Sequence, residues 1–336
     1  MPAASASDTL GGIGETATLG RILPRLPQAD AALVGPGDDA AVMRAPDGRY
    51  VVTTDTMVHG PDFRLAWSSP FDLGWKAAAT NLSDVAAMGA VPTALVVALV
   101  APAHTPVADL EQLADGLREA CGVLAPGCGV VGGDLSVSET FTIAVTAFGD
   151  LQDRAPVLRS GARPGDVVAV AGRLGLAATG LRLLFADGVD ADGVPDATIA
   201  RSLSEAHPAE LGAQLAPVPP IRLGPVAARA GATAMLDVSD GLAIDARRIA
   251  AASGVALDLD TTAVAGVAGE GVDPRVALSG GEDHALLATF PAEGALPEGF
   301  VPIGRVAAGA GLLVDGRAFD GRGGWDPYAD WDGGVG

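Results

Sequence analysis

Lysine is almost absent from this chain, because Lys76 is the only one in 336 residues. Acidic residues outnumber basic ones by 41 to 21, which gives a formal net charge of −20 at pH 7. Such a surface repels nucleic acid and anionic membranes, so we expect neither as a partner. It would also repel a phosphorylated ligand unless cations stood between the two. Any phosphate chemistry must therefore rely on arginine, backbone N–H groups or metal ions.

Long apolar runs and cysteine frameworks are missing as well. The longest apolar run, 91–103, contains Pro92 and Pro102 and is shorter than the roughly 20 residues of a membrane-spanning helix. The first residues of the chain carry neither basic side chains nor an apolar segment, so we predict no secretory signal. Cys121 and Cys128 match no metal or redox spacing. These features predict a cytoplasmic protein whose thiols stay reduced.

The hydrophobic periodicity predicts a two-domain α+β protein. We expect a flexible N-terminal arm over 1–12, an N-terminal domain over 13–152 and a C-terminal α+β domain with an irregular tail over 153–336. The boundary is placed in a polar stretch rich in Arg, Gly and Pro. Within the first domain, the pattern over 71–88 predicts a helix that carries Asn81, Ser83 and Asp84 on an otherwise apolar surface.

Five acidic motifs stand in apolar, glycine-rich surroundings, unlike the other acidic residues, which we interpret as solvated surface. They are Gly35-Pro-Gly-Asp38-Asp39, Thr53-Thr54-Asp55-Thr56, Asn81-Leu-Ser83-Asp84, Gly132-Gly133-Asp134 and Asp237-Val-Ser239-Asp240-Gly241. A carboxylate beside a buried strand is costly unless it is paired or binds a cation, and this chain offers few cations. Magnesium prefers oxygen ligands and completes its shell with water and phosphate oxygens. We therefore expect the motifs, several at strand ends, to converge on one cleft that binds several Mg²⁺ ions.

Each motif taken alone also has an ordinary explanation. Gly-Asp pairs are common turn formers, Asp240 would suit the N-cap of a helix beginning at Gly241, and Asp84 would bond locally near its helix end. Lys76 suits an ion pair with a carboxylate as well as a phosphate contact. The sequence contains no P-loop motif, which excludes that class of nucleotide-binding protein.

Seven segments together resemble one family. They are GPGDDAAV, TTDTMV, KAAATNLSDVAAMGAVP, VVGGD, LRSGARPGD, LDVSDGL and ALSGGEDHAL, and they occur in the order found in thiamine-monophosphate kinases, of the aminoimidazole ribonucleotide synthetase-like superfamily. The resemblance runs from about Gly14 to Trp325. It implies an N-terminal α/β domain that binds ATP and magnesium. In the family this domain pairs with that of a second subunit into a barrel, so the resemblance also implies a homodimer.

The resemblance implies roles for individual residues. The implied magnesium ligands are Asp39, Thr53, Thr54, Asp55, Asp84, Asp134, Asp237 and Asp240. The implied nucleotide contacts are Gly133, Asp134, Arg159 and Ser239, and the implied thiamine-phosphate contacts are Asp62, Glu282 and Trp325. Asp39, Asp55, Asp84, Asp134 and Asp237 would carry catalysis by anchoring the ions. The chain departs from the family at two positions, since many members have His in place of Asp62 and an aromatic residue in place of His284.

The implied activity is transfer of the γ-phosphoryl group of ATP to thiamine monophosphate, giving thiamine diphosphate. A phosphate monoester has its second pKa at about 6, so the acceptor is already largely ionised at neutral pH and needs no general base. Two alternatives remain open. One is a sister ATP-dependent cyclase or synthetase that phosphorylates an amide oxygen. The other is a non-catalytic sensor that binds nucleotide and metal.

Overall fold

The computed structural model of the protein describes residues 8–36, 40–321 and 323–324. Its N-terminal half contains helices and strands in mixed order. They are α1 (Leu10–Ile22), a 3₁₀ turn (Leu23–Arg25), β1 (Ala32–Val34), β2 (Val42–Met43), β3 (Val51–Val58), α2 (Pro70–Ala87), β4 (Val91–Ala101), α3 (Val107–Leu124), β5 (Gly129–Val137) and β6 (Thr142–Asp150). The helix predicted over 71–88 is confirmed as α2.

A four-stranded sheet with the order β3-β6-β4-β5 forms the centre of this half. The β4–β5 pair is parallel, whereas β6 runs antiparallel to both β3 and β4. Helices α2 and α3 cover one face of the sheet, and the core between them includes Leu82, Leu95 and Ile143, each at most 1% exposed. Helix α2 begins at a defined residue because Ser69 and Asp72 form a capping box around its first turn.

Two glycines allow α2 and α3 to pack backbone against backbone. A Cβ atom added to Gly74 on α2 would lie 2.0 Å from the carbonyl oxygen of Leu113. One added to Gly116 on α3 would lie 2.1 Å from the carbonyl oxygen of Phe71. This reciprocal contact fixes how close α2, which carries Asp84, lies to its neighbour.

The C-terminal half is built around a larger sheet with the order β13-β12-β9-β11-β7-β10-β8. Its elements are β7 (Val167–Ala171), α4 (Leu176–Asp187), α5 (Ala197–Ala206), α6 (Pro208–Leu215), α7 (Leu223–Arg229), β8 (Ala234–Val238), α8 (Leu242–Ser253), β9 (Ala256–Leu259), α9 (Thr261–Val267), α10 (Pro274–Ser279), β10 (Ala285–Phe290), β11 (Val301–Ala307), β12 (Gly311–Val314) and β13 (Arg317–Ala318). Strand β8 is an edge strand of this sheet and faces α2. The junction of the two halves therefore brings Asp84 and Asp237 towards each other.

The α+β class is confirmed, and the two larger sheets lie on either side of 151–166 in the sequence, while β1 and β2 form a separate two-stranded sheet. The division into domains at residues 152 and 153 stays a proposal. The predicted flexible arm over 1–12 is too long, because Leu10–Gly12 form the first turn of α1, with Thr9 as N-cap and Leu10 only 2% exposed. Residues 1–7 lie outside the described residues. In the part of the chain that the structure describes, no helix combines the length and apolarity needed to cross a membrane.

Candidate active site

Asp84 and the TTD motif meet where α2 packs on the edge strand β3. Thr53 on β3 donates a hydrogen bond from Oγ1 to Oδ2 of Asp84 at 3.0 Å. Asp55 lies two residues further along β3 and therefore on the same face as Thr53. The motif was expected near a strand end, but it lies inside β3, which continues to Val58 because every residue from Val51 onward pairs with β6.

The carboxylates of this cluster repel one another. The pKa of Asp84 is raised to about 7, first by burial and then by the negative charges of Asp237 and Asp55. The pKa of Asp55 is also raised, by burial and by the charges of Asp237, Glu282 and Asp240. The motifs at Thr53, Asn81 and Asp237, far apart in the chain, thus share one electrostatic environment, and a cation would relieve their repulsion.

Asp237 occupies the penultimate position of β8 and is only 6% exposed. Its Oδ2 lies 3.1 Å from Nδ1 of His284, which is itself 4% exposed. Burial lowers the pKa of His284, but the hydrogen bond and charge of Asp237 outweigh it, so that the pKa is raised overall. The Nε2 atom of His284 has no hydrogen-bond partner among the described residues. His284 thus orients the Asp237 carboxylate from one side and leaves the other side to the cluster.

The Ser-Asp-Gly turn after β8 is held by an ion-pair network that the sequence interpretation missed. Asp245 accepts hydrogen bonds from the backbone N–H groups of Asp240 and Gly241 at 3.1 and 3.2 Å. Arg248 bridges Asp240 and Asp245 at 2.5 and 2.6 Å. The alternative that Asp240 caps α8 is therefore wrong. An Asp and an Arg three residues apart on α8 were the available signal.

The Ser-Gly-Gly-Glu-Asp loop brings Glu282 beside α2. Its Oε2 lies 2.5 Å from Nζ of Lys76, so the structure shows the ion pair with a carboxylate. The N–H of Glu282 donates to the carbonyl oxygen of Ser239 at 2.7 Å, which ties this loop to the Ser-Asp-Gly turn. Asp62 lies close enough for the charges of Glu282 and Lys76 to act on its carboxyl group. The charges of the two predicted acceptor contacts, Asp62 and Glu282, therefore act on each other.

Glu282 and His284 adopt left-handed backbone conformations, with φ of 69° and 50°. Such conformations are unfavourable for residues other than glycine and tend to be retained at functional sites. Asp283, which the sequence interpretation did not single out, anchors this loop by accepting hydrogen bonds from the N–H groups of Gly175 and Ala177 at the start of α4. Burial raises the pKa of Asp283 to about 6.

Three predicted residues do not join the cluster within one chain. Asp134 lies inside β5 rather than at its end. Asp134 pairs with Ala98 across the β4–β5 ladder. Its side chain lies on the opposite face of the sheet from that of the core residue Leu135, and therefore on the face away from the helices. The hydroxyl of Thr54 bonds to Val145 O at 2.9 Å rather than approaching Asp55. Gly133 has a structural reason to be glycine, because a Cβ atom there would lie 2.0 Å from Val97 O.

Arg159 is exposed on the segment that runs along the free edge of β8. The described residues form no ion pair with Arg159. Beside it is a cavity of about 500 Å³, lined by Val157, Leu158, Ser160 and Thr233 among others. The cavity adjoins the end of α2, since the N–H of Val157 donates to the carbonyl oxygen of Met88 at 3.0 Å.

Asp39 and Trp325 lie outside the described residues, so their predicted roles stay predictions. Among the residues that are described, no three His, Cys, Asp or Glu side chains are arranged closely enough to hold a metal ion by themselves. The donor set of the cluster nevertheless suits magnesium, since it consists of carboxylate and hydroxyl oxygens. Magnesium usually takes one or two carboxylates and obtains its other ligands from water and phosphate.

The geometry can be compared with known proteins. Residues 37–151 match the family described as "AIR synthase related protein, N-terminal domain". The chain is 45% identical, over 339 aligned residues, to the thiamine-monophosphate kinase of Mycobacterium tuberculosis, and the alignment covers 98% of this chain and 96% of that one. The chain belongs to the thiamine-monophosphate kinase family. Its relatedness extends over both sheets and all five acidic motifs.

Solved structures of the same family have a similar fold. The crystal structure of thiamine-monophosphate kinase from Stenotrophomonas maltophilia K279a has a TM-score of 0.74 at 33% identity, and covers 90% of this chain and 96% of that chain. A structure described as "AaThiL complexed with AMPPCP and TMP" has a TM-score of 0.69 at 31% identity, and covers 94% of this chain and 96% of that chain. Membership of the aminoimidazole ribonucleotide synthetase-like superfamily is therefore confirmed.

Proposed function

We propose that this protein transfers the γ-phosphoryl group of ATP directly to the phosphate of thiamine monophosphate, giving thiamine diphosphate and ADP. The observation that carries the proposal is the placement of two unlike subsites side by side. One is the Asp55, Asp84 and Asp237 cluster, which suits cation-screened phosphates. The other contains Glu282 and Asp62, which suit the positively charged thiazolium ring of the acceptor. The family relationship and its complex with AMPPCP and TMP support the same assignment.

The mechanism requires two anions to approach each other, and we assign the side chains accordingly. Bound magnesium ions would neutralise phosphate charge and align the reacting groups. Asp55, Asp84 and Asp237 would hold these ions, with Thr53 fixing the orientation of Asp84. Catalysis then consists mainly of positioning and electrostatic stabilisation. No general base is assigned, because the acceptor oxygen is already ionised.

Asp39, Asp134, Asp240 and Thr54 complete the proposed ligand set. Asp240 can serve it only in competition with Arg248, its partner at 2.5 Å. For the nucleotide, we assign Arg159, whose planar fork of donors suits phosphate oxygens, and the backbone around Gly133 and Ser239. Trp325 remains a proposed acceptor contact.

We also propose that two copies of the chain associate through the open faces of their four-stranded sheets. The face opposite α2 and α3 carries Asp134, Thr54 and Thr146, and Val52 near one end is 55% exposed. The predicted barrel would cover this face. Light scattering after gel filtration tests the proposal, and a monomeric mass at micromolar concentration would contradict it. We place the reaction in the cytoplasm, where the two buried cysteines would stay reduced.

The activity is tested by incubating the purified protein with MgATP and thiamine monophosphate and measuring thiamine diphosphate by chromatography. We expect turnover on the order of 1 s⁻¹ or faster, and none when EDTA removes the metal. Two other outcomes would favour the alternatives. Turnover with a phosphorylated amide, but not with thiamine monophosphate, would indicate the sister cyclase or synthetase. Nucleotide binding without turnover of any acceptor would indicate a sensor.

We expect stabilisation of the fold by Mg²⁺ to weaken as the pH falls below about 7. The pKa of Asp84 is raised to about 7, and a metal must displace the proton from a carboxylate ligand. Without metal, the folded protein retains this proton at pH values where the unfolded chain has lost it. The stability of the metal-free protein therefore falls as the pH rises from about 4 to about 7.

Thermal unfolding at about pH 8 and about pH 6, with and without Mg²⁺, measures this effect. The increase in Tm on adding Mg²⁺ should be larger at the higher pH. The variant Asp84→Asn should raise the Tm of the metal-free protein at the higher pH, because it removes repulsion from Asp55 and Asp237. An equal Mg²⁺ effect at both pH values would remove Asp84 from the ligand set.

A further inference from the structure

The only lysine of the chain is buried between the two sheets, and its ammonium group is saturated. Lys76 is 7% exposed, and its Nζ contacts Oε2 of Glu282 at 2.5 Å and the carbonyl oxygen of Gln214 at 3.0 Å. With the amide of Gln214 oriented so that its nitrogen donates to Ala177 O, its side-chain oxygen accepts from Nζ at 3.2 Å. All three donors of the ammonium group then have acceptors. Lys76 is therefore a fixed positive charge rather than a mobile phosphate ligand.

Glu282 is fixed on one side and open on the other. Its backbone is held by the hydrogen bond to Ser239 O, and the next residue, Asp283, is bound to the start of α4. The side chain of Glu282 is nevertheless 39% exposed, whereas that of Lys76 is 8% exposed. The carboxylate thus contacts Lys76 and remains partly open to solvent. This arrangement suits a residue that binds a ligand from solvent.

The surrounding charges explain why a fixed cation is needed at this point. Burial favours the neutral form of Glu282, but the positive charge of Lys76 outweighs it, so that the pKa of Glu282 is lowered and the group stays ionised. Lys76 also opposes the burial that raises the pKa of Asp62. The charge of Glu282 in turn acts on Asp55. The charge of the acceptor subsite therefore adds to that of the acidic cluster, and Lys76 is the cation that pairs directly with Glu282.

We propose that Lys76 determines ligand specificity by acting as a built-in cation: it holds Glu282 in place and keeps divalent metal ions off the Glu282 carboxylate, so that this subsite stays open to the organic cation of the acceptor. Without Lys76, the Glu282 carboxylate and the carbonyl oxygen of Gln214, which Lys76 now contacts, would present oxygen ligands of the kind that Mg²⁺ and Mn²⁺ prefer. With Lys76 in place, the exposed edge of Glu282 stays open to one cationic ring. The inference rests on the proposed function for the identity of that ring, but not for the exclusion of metal.

The decisive experiment counts bound Mn²⁺ by electron paramagnetic resonance. We expect Lys76→Met to bind one more Mn²⁺ per chain than the wild type, with a dissociation constant below about 1 mM. The additional site should be absent from Lys76→Arg, which keeps the charge, and from the double variant Lys76→Met/Glu282→Gln, which removes the carboxylate. Arg118→Met, which removes a cation from an ion pair on α3, is the matched control and should bind the wild-type number. An unchanged Mn²⁺ count in Lys76→Met would overturn the proposal.

The affinity for thiamine monophosphate, measured by calorimetry, distinguishes the exclusion of metal from a structural role of Lys76 and from simple repulsion of the ring. In Lys76→Met the acceptor should bind about 10-fold more weakly when Mg²⁺ is present than when it is absent, which corresponds to about 1.4 kcal/mol. Equal weakening with and without Mg²⁺ would indicate a purely structural role, and tighter binding would indicate that Lys76 only repels the ring. Both results overturn the proposal. If Lys76→Met does not fold, Lys76→Gln, which keeps a hydrogen-bonding end, replaces it. Failure of the proposed function would appear instead as a wild-type protein that neither binds nor phosphorylates thiamine monophosphate.

Discussion

Replacing Asp55 by asparagine is expected to lower kcat by at least about 100-fold, the scale of losing one strong electrostatic stabiliser at a reacting centre. Asparagine keeps the size of the side chain but removes the charge that would hold a cation next to Asp84 and Asp237. The initial rate of thiamine diphosphate formation at saturating MgATP measures the effect. A near wild-type rate would exclude Asp55 from the catalytic cluster.

The same substitution should leave the fold intact. Asp55 belongs to a group of mutually repelling carboxylates, and the pKa of Asp55 is raised by burial and by its acidic neighbours. Removing its charge should therefore maintain or raise the Tm of the metal-free protein at neutral pH. Glu293→Gln serves as a charge control, since Glu293 is exposed in the turn after β10, at the opposite end of that strand from the Glu282 loop. Its rate should equal that of the wild type.

Gly116→Ala is expected to have the largest effect on stability. The added Cβ would lie 2.1 Å from Phe71 O and 2.9 Å from the N atom of Trp75, so the backbones of α2 and α3 must separate. Overpacking of this kind costs roughly 2–3 kcal/mol, which should lower Tm by several degrees. Differential scanning calorimetry measures the shift.

Helix α3 supplies its own control for this prediction. Gly122 is exposed on the same helix, and a Cβ atom there would meet nothing within 4 Å. Gly122→Ala should therefore stabilise the protein by about 0.5–1 kcal/mol through helix propensity alone. If both variants shifted Tm in the same direction and by the same amount, the close contact between α2 and α3 at Gly116 would not be what excludes a larger side chain.

The local elements could be predicted because their signals are contained within short stretches of chain. The helical period over 71–88, which α2 confirms, needed no knowledge of distant residues. Strand ends were predicted less well. Asp55 and Asp134 follow Val-Val pairs that look like the ends of strands, but each strand continues because its neighbours offer hydrogen bonds beyond the apolar residues.

The grouping of Asp55, Asp84 and Asp237 was expected from the cost of isolated carboxylates and from the family's motifs, and the structure brings these three together. It does not bring Asp134 to them within one chain. The cause is strand order, since β3 and β5 are opposite edges of the same sheet, and side chains on adjacent residues alternate between its faces. No local pattern encodes strand order.

Composition and motifs are enough to assign the class of chemistry: an excess of carboxylates, a single lysine and the ordered motifs restrict the chain to cation-assisted handling of phosphates. The tertiary structure alone decided which charges meet. Lys76 lies beside Glu282 rather than a phosphate, and Arg248 neutralises Asp240, because partners far apart in sequence become neighbours only when α2, β8 and the Glu282 loop pack together. Electrostatic energies depend on distance in space and on burial, and a linear sequence specifies neither directly.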